Sequence, residues 1–312
     1  MASPPSQRTI WVDLLLYPGH TLPTAAAPVL VALGLAVHDH IFAFLPAFIA
    51  FLASWLIHVG GVFMDNYQLI TKHPGLREHP ELNDALATGT LTRFGLESAI
   101  LACFVLAALA CPYLFKIGGW PVLALGILGT LASLVYAAGP WPVTRYGLAD
   151  PLFVLMFGVV AEWGIYYIQA AAEAPTADWP TLVRGLPLAV YVLGLPVGAL
   201  VTGVMVIDDI RDRQFDRAKG WRTGAVVFGL GWSRFEFAAF AVFAYLAPFC
   251  FWWGLGLGAS VLLPLLTLPL AWRIVHAVWT RERRDDLVPM TPKAAMLSLA
   301  YGLLSGLGIA LA

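Results

Sequence analysis

The stretch VMVIDDIRDRQFDRAKGWRTGAV, Val204 to Val226, places four aspartates and five basic residues at the end of an apolar run. Charge is scarce elsewhere: 12% of the 312 residues are charged and 60% are hydrophobic, against about 25% charged in an average soluble domain. Asp208, Asp212 and Asp216 stand at i, i+4 and i+8, so on a helix they climb one face with a drift of about 40° per step. Like charges on successive turns repel by a few tenths of a kcal/mol per pair. Arg211, Arg213 and Arg217 are therefore expected to compensate them as ion pairs. That pairing explains the charge balance but not why the acids begin at Asp208, directly where an apolar span ends. Carboxylates at that depth line cavities and are functional by default.

Working outward, apolar runs of membrane-spanning length lie near 24–38, 41–64, 94–115, 119–139, 148–171, 185–207, 232–254, 257–279 and 292–312. Each spanning helix needs about 20 apolar residues. The expected fold is therefore all-α: a single domain, 1–312, of nine transmembrane helices around a central cavity. Of the 18 Lys and Arg residues, all but Lys116 and Arg184 fall on one side of this arrangement. The excess of positive charge in cytoplasmic loops assigns that side to the cytoplasm, where the cavity is expected to open. Composition excludes a soluble enzyme, and a net charge of -1 gives no footing for nucleic acid. The N-terminus lacks the basic start and compact apolar stretch of a cleaved signal peptide. Cys103, Cys111 and Cys250 read as inert apolar residues rather than as a site. The many Trp residues near span ends read as interfacial belts.

On the same side as the opening stretch lie MDNYQLITKHPGLREHPELNDALATGTLT after the second span and GPWPVTRYGLADP between the fourth and fifth. TRERRDDLVPMTPK, before the last span, reads as a solvated loop that sets topology. Oxygen donors without Cys or clustered His suit a hard cation such as Mg²⁺, which binds one or two carboxylates and completes its shell with water and substrate phosphates. Basic residues around such an ion make a diphosphate clamp. The expected ligand is a phosphate-bearing molecule at the membrane surface, its apolar end lying between the spans in contact with membrane lipid.

The run Asp208-Asp209-Ile210-Arg211-Asp212, followed by Asp216-Arg217, Gly220 and Arg222-Thr223, resembles the second aspartate-rich motif of the UbiA superfamily of intramembrane prenyltransferases. Gly139-Pro140, Tyr146-Gly147-Leu148, Phe157-Gly158 and Tyr166-Tyr167-Ile168-Gln169 resemble the MenA-like branch, the 1,4-dihydroxy-2-naphthoate polyprenyltransferases. The resemblance implies a nine-helix fold in which two aspartate-rich motifs hold Mg²⁺ on the diphosphate of a polyprenyl donor. An allylic cation forms and an aromatic, dihydroxynaphthoate-like acceptor attacks it. By position the catalytic acids are Asp212, Asp216, Asp208 and Asp65, and the metal ligands include Asp209 and Asn66 as well. Arg145 falls in the loop that supplies a basic diphosphate contact, with Arg211, Lys219, Arg222 and Lys72 as further candidates. Tyr67, Tyr136 and Tyr146 are candidates for the cavity wall.

The first motif departs from the branch. Where Gln-x-Gly and then Asn-Asp-Tyr with a further Asp are expected, this chain reads His58, Gly60, Asp65, Asn66 and Tyr67, with Leu69 in place of the second acid. A shift by one residue brings Gln68 to that place, and neither register restores the acid. Surplus acid at Asp208 and Asp209 is the expected compensation. Glu162 and His58 are ionisable groups at membrane depth. Glu162 reads equally as an acceptor-orienting base and as a buried hydrogen-bonded acid, and His58 reads as a structural partner. The same motifs leave open an intramembrane terpene cyclase, a sugar-phosphate transferase and a non-catalytic lipid-binding homologue.

Overall fold

The computed structural model describes residues 7–73, 79–137 and 143–312, and every regular element among them is helical. Helix α1 runs Gln7–His38, α2 Phe44–Lys72, α3 Pro80–Ala87, α4 Arg93–Gly118 and α5 Trp120–Ala137. A 3-10 turn at Val143–Arg145 leads to α6, Ala149–Leu155, which passes through a π-helical turn at Met156–Val160 into α7, Ala161–Glu173. Two short helices, α8 Trp179–Gly185 and α9 Ala189–Val192, precede α10, Leu195–Lys219. Then come α11 Gly224–Val227, α12 Leu230–Gly254, a 3-10 segment Ala259–Thr267 continuing as α13 Leu268–Thr280, α14 Arg284–Leu287 and α15 Met290–Ala310.

Eight of the described helical segments are long and apolar enough to cross a membrane, and a ninth apolar helix, Trp120–Tyr136, is shorter. The chain is a multi-pass membrane protein. Where helix bounds depart from the apolar runs, the reason is amphipathic continuation: α2 extends to Lys72 rather than stopping near residue 64, and α10 carries on to Lys219. The extensions are about two turns on α2 and about three on α10, and these polar turns bear the acids. Both aspartate motifs are thus helical.

Helix α10 is the hub, with 83% of its most apolar window buried by neighbouring helices. It packs against α12, α15, α6 and the π-helical turn. Small residues permit these approaches. A Cβ on Gly198 would stand 2.4 Å from the Cα of Gly158, so α10 and the π turn meet backbone to backbone. Helices α1 and α15 meet in the same way, since a Cβ on Gly306 would lie 2.2 Å from the carbonyl oxygen of Leu30. Between α2, α4, α5, α7 and α10 the packing leaves a cavity of about 380 Å³.

Candidate active site

The cavity is apolar over most of its depth and polar at one end. Ile57, Leu114, Leu125, Phe153, Met156 and Ile168 line the apolar part, while Asp65 and Asn66 from α2 face Asp208, Asp209, Asp212 and Asp216 from α10 across the polar end. The two motifs, some 140 positions apart in sequence, border one space.

On α10 every third or fourth residue is acidic, which turns these carboxylates toward the cavity. Arg211 compensates two of them, its Nη1 lying 2.6 Å from Asp208 Oδ1 and its Nε donating to Asp212 Oδ2 at 2.8 Å. A second donor of Arg211, Nη2, reaches the same Asp212 oxygen. Thr291, at the start of α15, accepts from Arg211 Nη1 at 3.0 Å and donates to Asp208 Oδ1 at 2.5 Å, closing a three-membered network. The other oxygen of Asp212 accepts from Arg284 Nε at 2.7 Å. Lys219 Nζ sits 3.1 Å from Asp216 Oδ1 and 3.7 Å from the ring centroid of Trp221.

The lysine is placed by the way α10 ends. Gly220 adopts φ 77° and its N–H bonds to Arg217 O, while Trp221 N bonds to Asp216 O at 2.9 Å. This glycine-terminated pattern turns the chain back on the last helical turn, laying the indole over Lys219. A glycine is required there because φ is positive.

On the facing wall, Asn66 is 7% exposed and its Nδ2 donates to Val62 O at 3.0 Å, which leaves the amide oxygen as its free acceptor for the cavity. Tyr136 hydrogen-bonds Met205 Sδ at 3.5 Å and lies within the electrostatic reach of Asp65, Asp208, Asp209 and Asp216. It packs at 5.3 Å on Phe153, which packs at 5.3 Å on Phe157, and His58 meets Phe157 edge-on at 5.4 Å. These four rings form a continuous aromatic collar on the cavity wall.

Other expected positions lie elsewhere. Glu162 is fully buried but is absent from the cavity wall: its carboxylate rests against the backbone of Gly194, neither oxygen bonded to another side chain. The α6–α7 segment turns it toward the start of α10 instead. Tyr67 points to α4 and donates to Glu97 Oε1 at 2.5 Å, one helical step off the cavity face. Tyr146 is 55% exposed beside the glycine turn at Gly147. Lys72 and Arg222 are exposed and outside the wall, Arg222 contributing a backbone N–H to Thr144 O at 2.9 Å. The side chain of Arg145 lies outside the described residues. Two wall residues, His79 and Trp221, escaped the sequence reading, as did two residues that hold the acids from behind the wall, Arg284 on Asp212 and Thr291 on Asp208. The segment TRERRDDLVPMTPK is thus part of the site rather than a solvated loop only. In sequence it carries charges of both signs with no pattern that singles out Arg284 or Thr291.

Among the described residues no three His, Cys, Asp or Glu side chains form a cluster able to hold a metal by themselves. The donors are nevertheless all oxygen, come from two walls of one space and retain lone pairs. That set fits a small hard cation whose shell is finished by water and substrate phosphates.

The model of the family described as "UbiA prenyltransferase family" matches residues 25–299. The chain is 26% identical over 232 residues to the 1,4-dihydroxy-2-naphthoate octaprenyltransferase of Escherichia coli, covering 72% of this chain and 70% of that protein. Its fold is similar to the apo structure of a UbiA homolog from Aeropyrum pernix, with a TM-score of 0.63 and 17% identity, covering 92% and 97% of the two chains. It is also similar to a UbiA homolog from Archaeoglobus fulgidus bound to DMAPP and Mg²⁺, with a TM-score of 0.55 and 16% identity, covering 94% and 98%. With a matched region that contains both aspartate motifs and the cavity between them, the chain belongs to the UbiA prenyltransferase family and is a membrane-embedded prenyltransferase.

Proposed function

We propose that the chain transfers a polyprenyl group from its diphosphate to an aromatic quinone precursor of the dihydroxynaphthoate type, with Mg²⁺ as cofactor. One observation carries the reading: acids from both motifs flank the polar end of a cavity whose remaining wall is apolar and aromatic. A molecule with a diphosphate head and an isoprenoid tail matches this division. The name of the Escherichia coli relative supports the acceptor class, and the DMAPP- and Mg²⁺-bound neighbour supports the donor head and the ion.

In this reading Asp65, Asn66, Asp209, Asp212 and Asp216 would hold Mg²⁺, with Asp208 at the margin of the set. The ion, when bound, neutralises charge that develops on the departing diphosphate. Arg211 and Arg284 hold Asp212 in one orientation, and Lys219 does the same for Asp216. Arg145, Lys72 and Arg222 are the further basic residues that would serve the diphosphate in this reading. As the C–O bond of the donor breaks, positive charge builds on the allylic carbon next to the collar. The faces of Tyr136, Phe153 and Phe157 stabilise it, at about 0.5–2 kcal/mol for one cation–ring contact. The apolar wall excludes water, so the acceptor ring forms the new C–C bond and rearomatises by losing a proton, or its carboxylate as CO₂, from the attacked carbon, with pyrophosphate as the donor's leaving group. The excess of Lys and Arg on the side of this mouth supports a cytoplasmic opening.

The test is incubation of purified protein with radiolabelled geranylgeranyl diphosphate, with and without Mg²⁺ and dihydroxynaphthoate. Labelled product and pyrophosphate that require both ion and acceptor support the reading. Pyrophosphate released without acceptor points to cyclisation, and absence of turnover with any donor rejects both.

A further inference from the structure

A second group of oxygen atoms lies outside the cavity wall. Asp150 stands in the first turn of α6, Ser233 and Glu236 are one turn apart on α12, and Gly224 opens α11. Neither Asp150 nor Glu236 lines the cavity, although both lie within electrostatic reach of Asp209. Three oxygens converge on one point: Glu236 Oε2 and Ser233 Oγ are each 3.3 Å, and Asp150 Oδ2 is 3.8 Å, from where a Cβ on Gly224 would stand. A glycine leaves that point open.

The surroundings lack what normally compensates such a group. Ser233 is 1% exposed and its hydroxyl, aimed at this point, has no hydrogen-bond partner. Asp150 Oδ1 and the hydroxyls of Thr223, next to Gly224, and Thr144 are likewise without partners. The segments that carry them are joined through Arg222 N and Thr144 O. Among the described residues no Lys or Arg pairs with Asp150 or Glu236. Two carboxylates and a buried, unpartnered hydroxyl around one small space, with no basic side chain among the described residues to pair them, are costly unless a cation or a proton compensates them.

We propose that Asp150, Glu236 and Ser233 form a separate binding site for a hard divalent cation. The oxygen-only donors suit such an ion, and two carboxylates match its charge. A donor set drawn from two separate helices, two carboxylates and one hydroxyl from α6 and α12, suits Ca²⁺, which accepts irregular oxygen shells, better than Mg²⁺, which demands a near-ideal octahedron. Neighbouring hydroxyls, backbone carbonyls and water complete the shell. The ion ties α6, α11 and α12 together behind the substrate wall and offsets negative charge near Asp209. No substrate is required for it, so this site stands or falls independently of the proposed reaction.

The test uses the full chain in detergent without diphosphate, titrated with CaCl₂ and followed by ⁴⁵Ca²⁺ equilibrium dialysis and thermal melting. Saturable Ca²⁺ binding with a rise in Tm is expected for the wild type and for Asp212→Asn. Glu236→Gln and Asp150→Asn are expected to lose both. Gly224→Ala keeps every ligand but fills the converging point, and is also expected to lose them. If the carboxylate variants do not fold, Gly224→Ala and Ser233→Ala decide. Absence of binding by the wild type, or wild-type binding by Gly224→Ala and Ser233→Ala, overturns the proposal. So does loss of the ion in Asp212→Asn, which would locate it in the substrate cavity. A Tm that responds to pH but not to Ca²⁺ would show instead that the two carboxylates share a proton.

Discussion

Arg284 Nε and Asp212 Oδ1 are 2.7 Å apart although 72 positions separate them in sequence. Since Arg211 occupies the other oxygen of Asp212, the middle acid of α10 is gripped from its own helix and from the entry to α15. Such a carboxylate, held by two guanidinium groups, is oriented before any ligand arrives.

Arg284→Ala removes one of these holds. A hydrogen bond to a charged group contributes about 1.5–3 kcal/mol, so kcat/KM for the prenyl diphosphate is expected to fall by about 10- to 100-fold. Arg284→Lys, which keeps charge but not the planar fork, should fall between the two. Steady-state pyrophosphate release measures this. Wild-type rates in Arg284→Ala would show that the pair does not orient Asp212 for catalysis.

Asp212→Ala and Asp216→Ala are each expected to reduce turnover by about 10²-fold or more, the scale for loss of one preorganised electrostatic group. The variants should stay folded, because α10 is held by apolar packing over its first three turns. Circular dichroism and size-exclusion chromatography report folding, and product formation reports turnover. Near-normal rates in both would make the acid ladder structural.

Glu162→Gln is expected to leave kcat and both KM values within about twofold. The carboxylate lies off the cavity and has no side-chain ion pair to lose, and an isosteric neutral amide removes the desolvation cost of a buried charge. Tm should therefore hold or rise. A selective rise in acceptor KM would restore Glu162 as an acceptor-orienting group.

Gly306→Ala tests the α1–α15 seam. Its Cβ would press on Leu30 O at 2.2 Å, and overpacking of a close-packed contact costs about 1–3 kcal/mol. A lower Tm in detergent is expected, with little change in donor KM because the seam is remote from the acid wall. Unchanged melting would mean that the helices separate without cost.

The fold class, the helical placement of the Asp208, Asp212 and Asp216 ladder and the family were legible in the chain, because each rests on local pattern. Apolar length reports spanning segments, and i, i+4 spacing reports a shared helical face. Local pattern cannot report which residues meet across helices. It gave Arg213 and Arg217 the same standing as Arg211, and it had no means of finding Arg284 or Thr291. It also left Glu162 equally open between an acceptor-orienting base and a buried acid, whereas the π-helical turn at Met156–Val160 precedes it and its side chain faces Gly194. Where the second span ended was misjudged for a related reason: polar residues at Asp65 and Asn66 look like a loop in sequence, but a cavity supplies the polar surroundings that let α2 continue to Lys72.

By itself the sequence determined a many-helix membrane protein with an excess of acid on one motif and a deficit on the other. Those properties follow from composition and spacing along one helix at a time. Only the tertiary structure decided that both motifs border one cavity, that Arg211, Arg284, Thr291 and Lys219 hold its acids, and that Asp150, Ser233 and Glu236 converge beyond it on Gly224. The physical reason is that charge pairing and oxygen convergence act over a few ångströms between helices whose contacts are set by small-residue packing. That packing leaves no periodic trace along the chain.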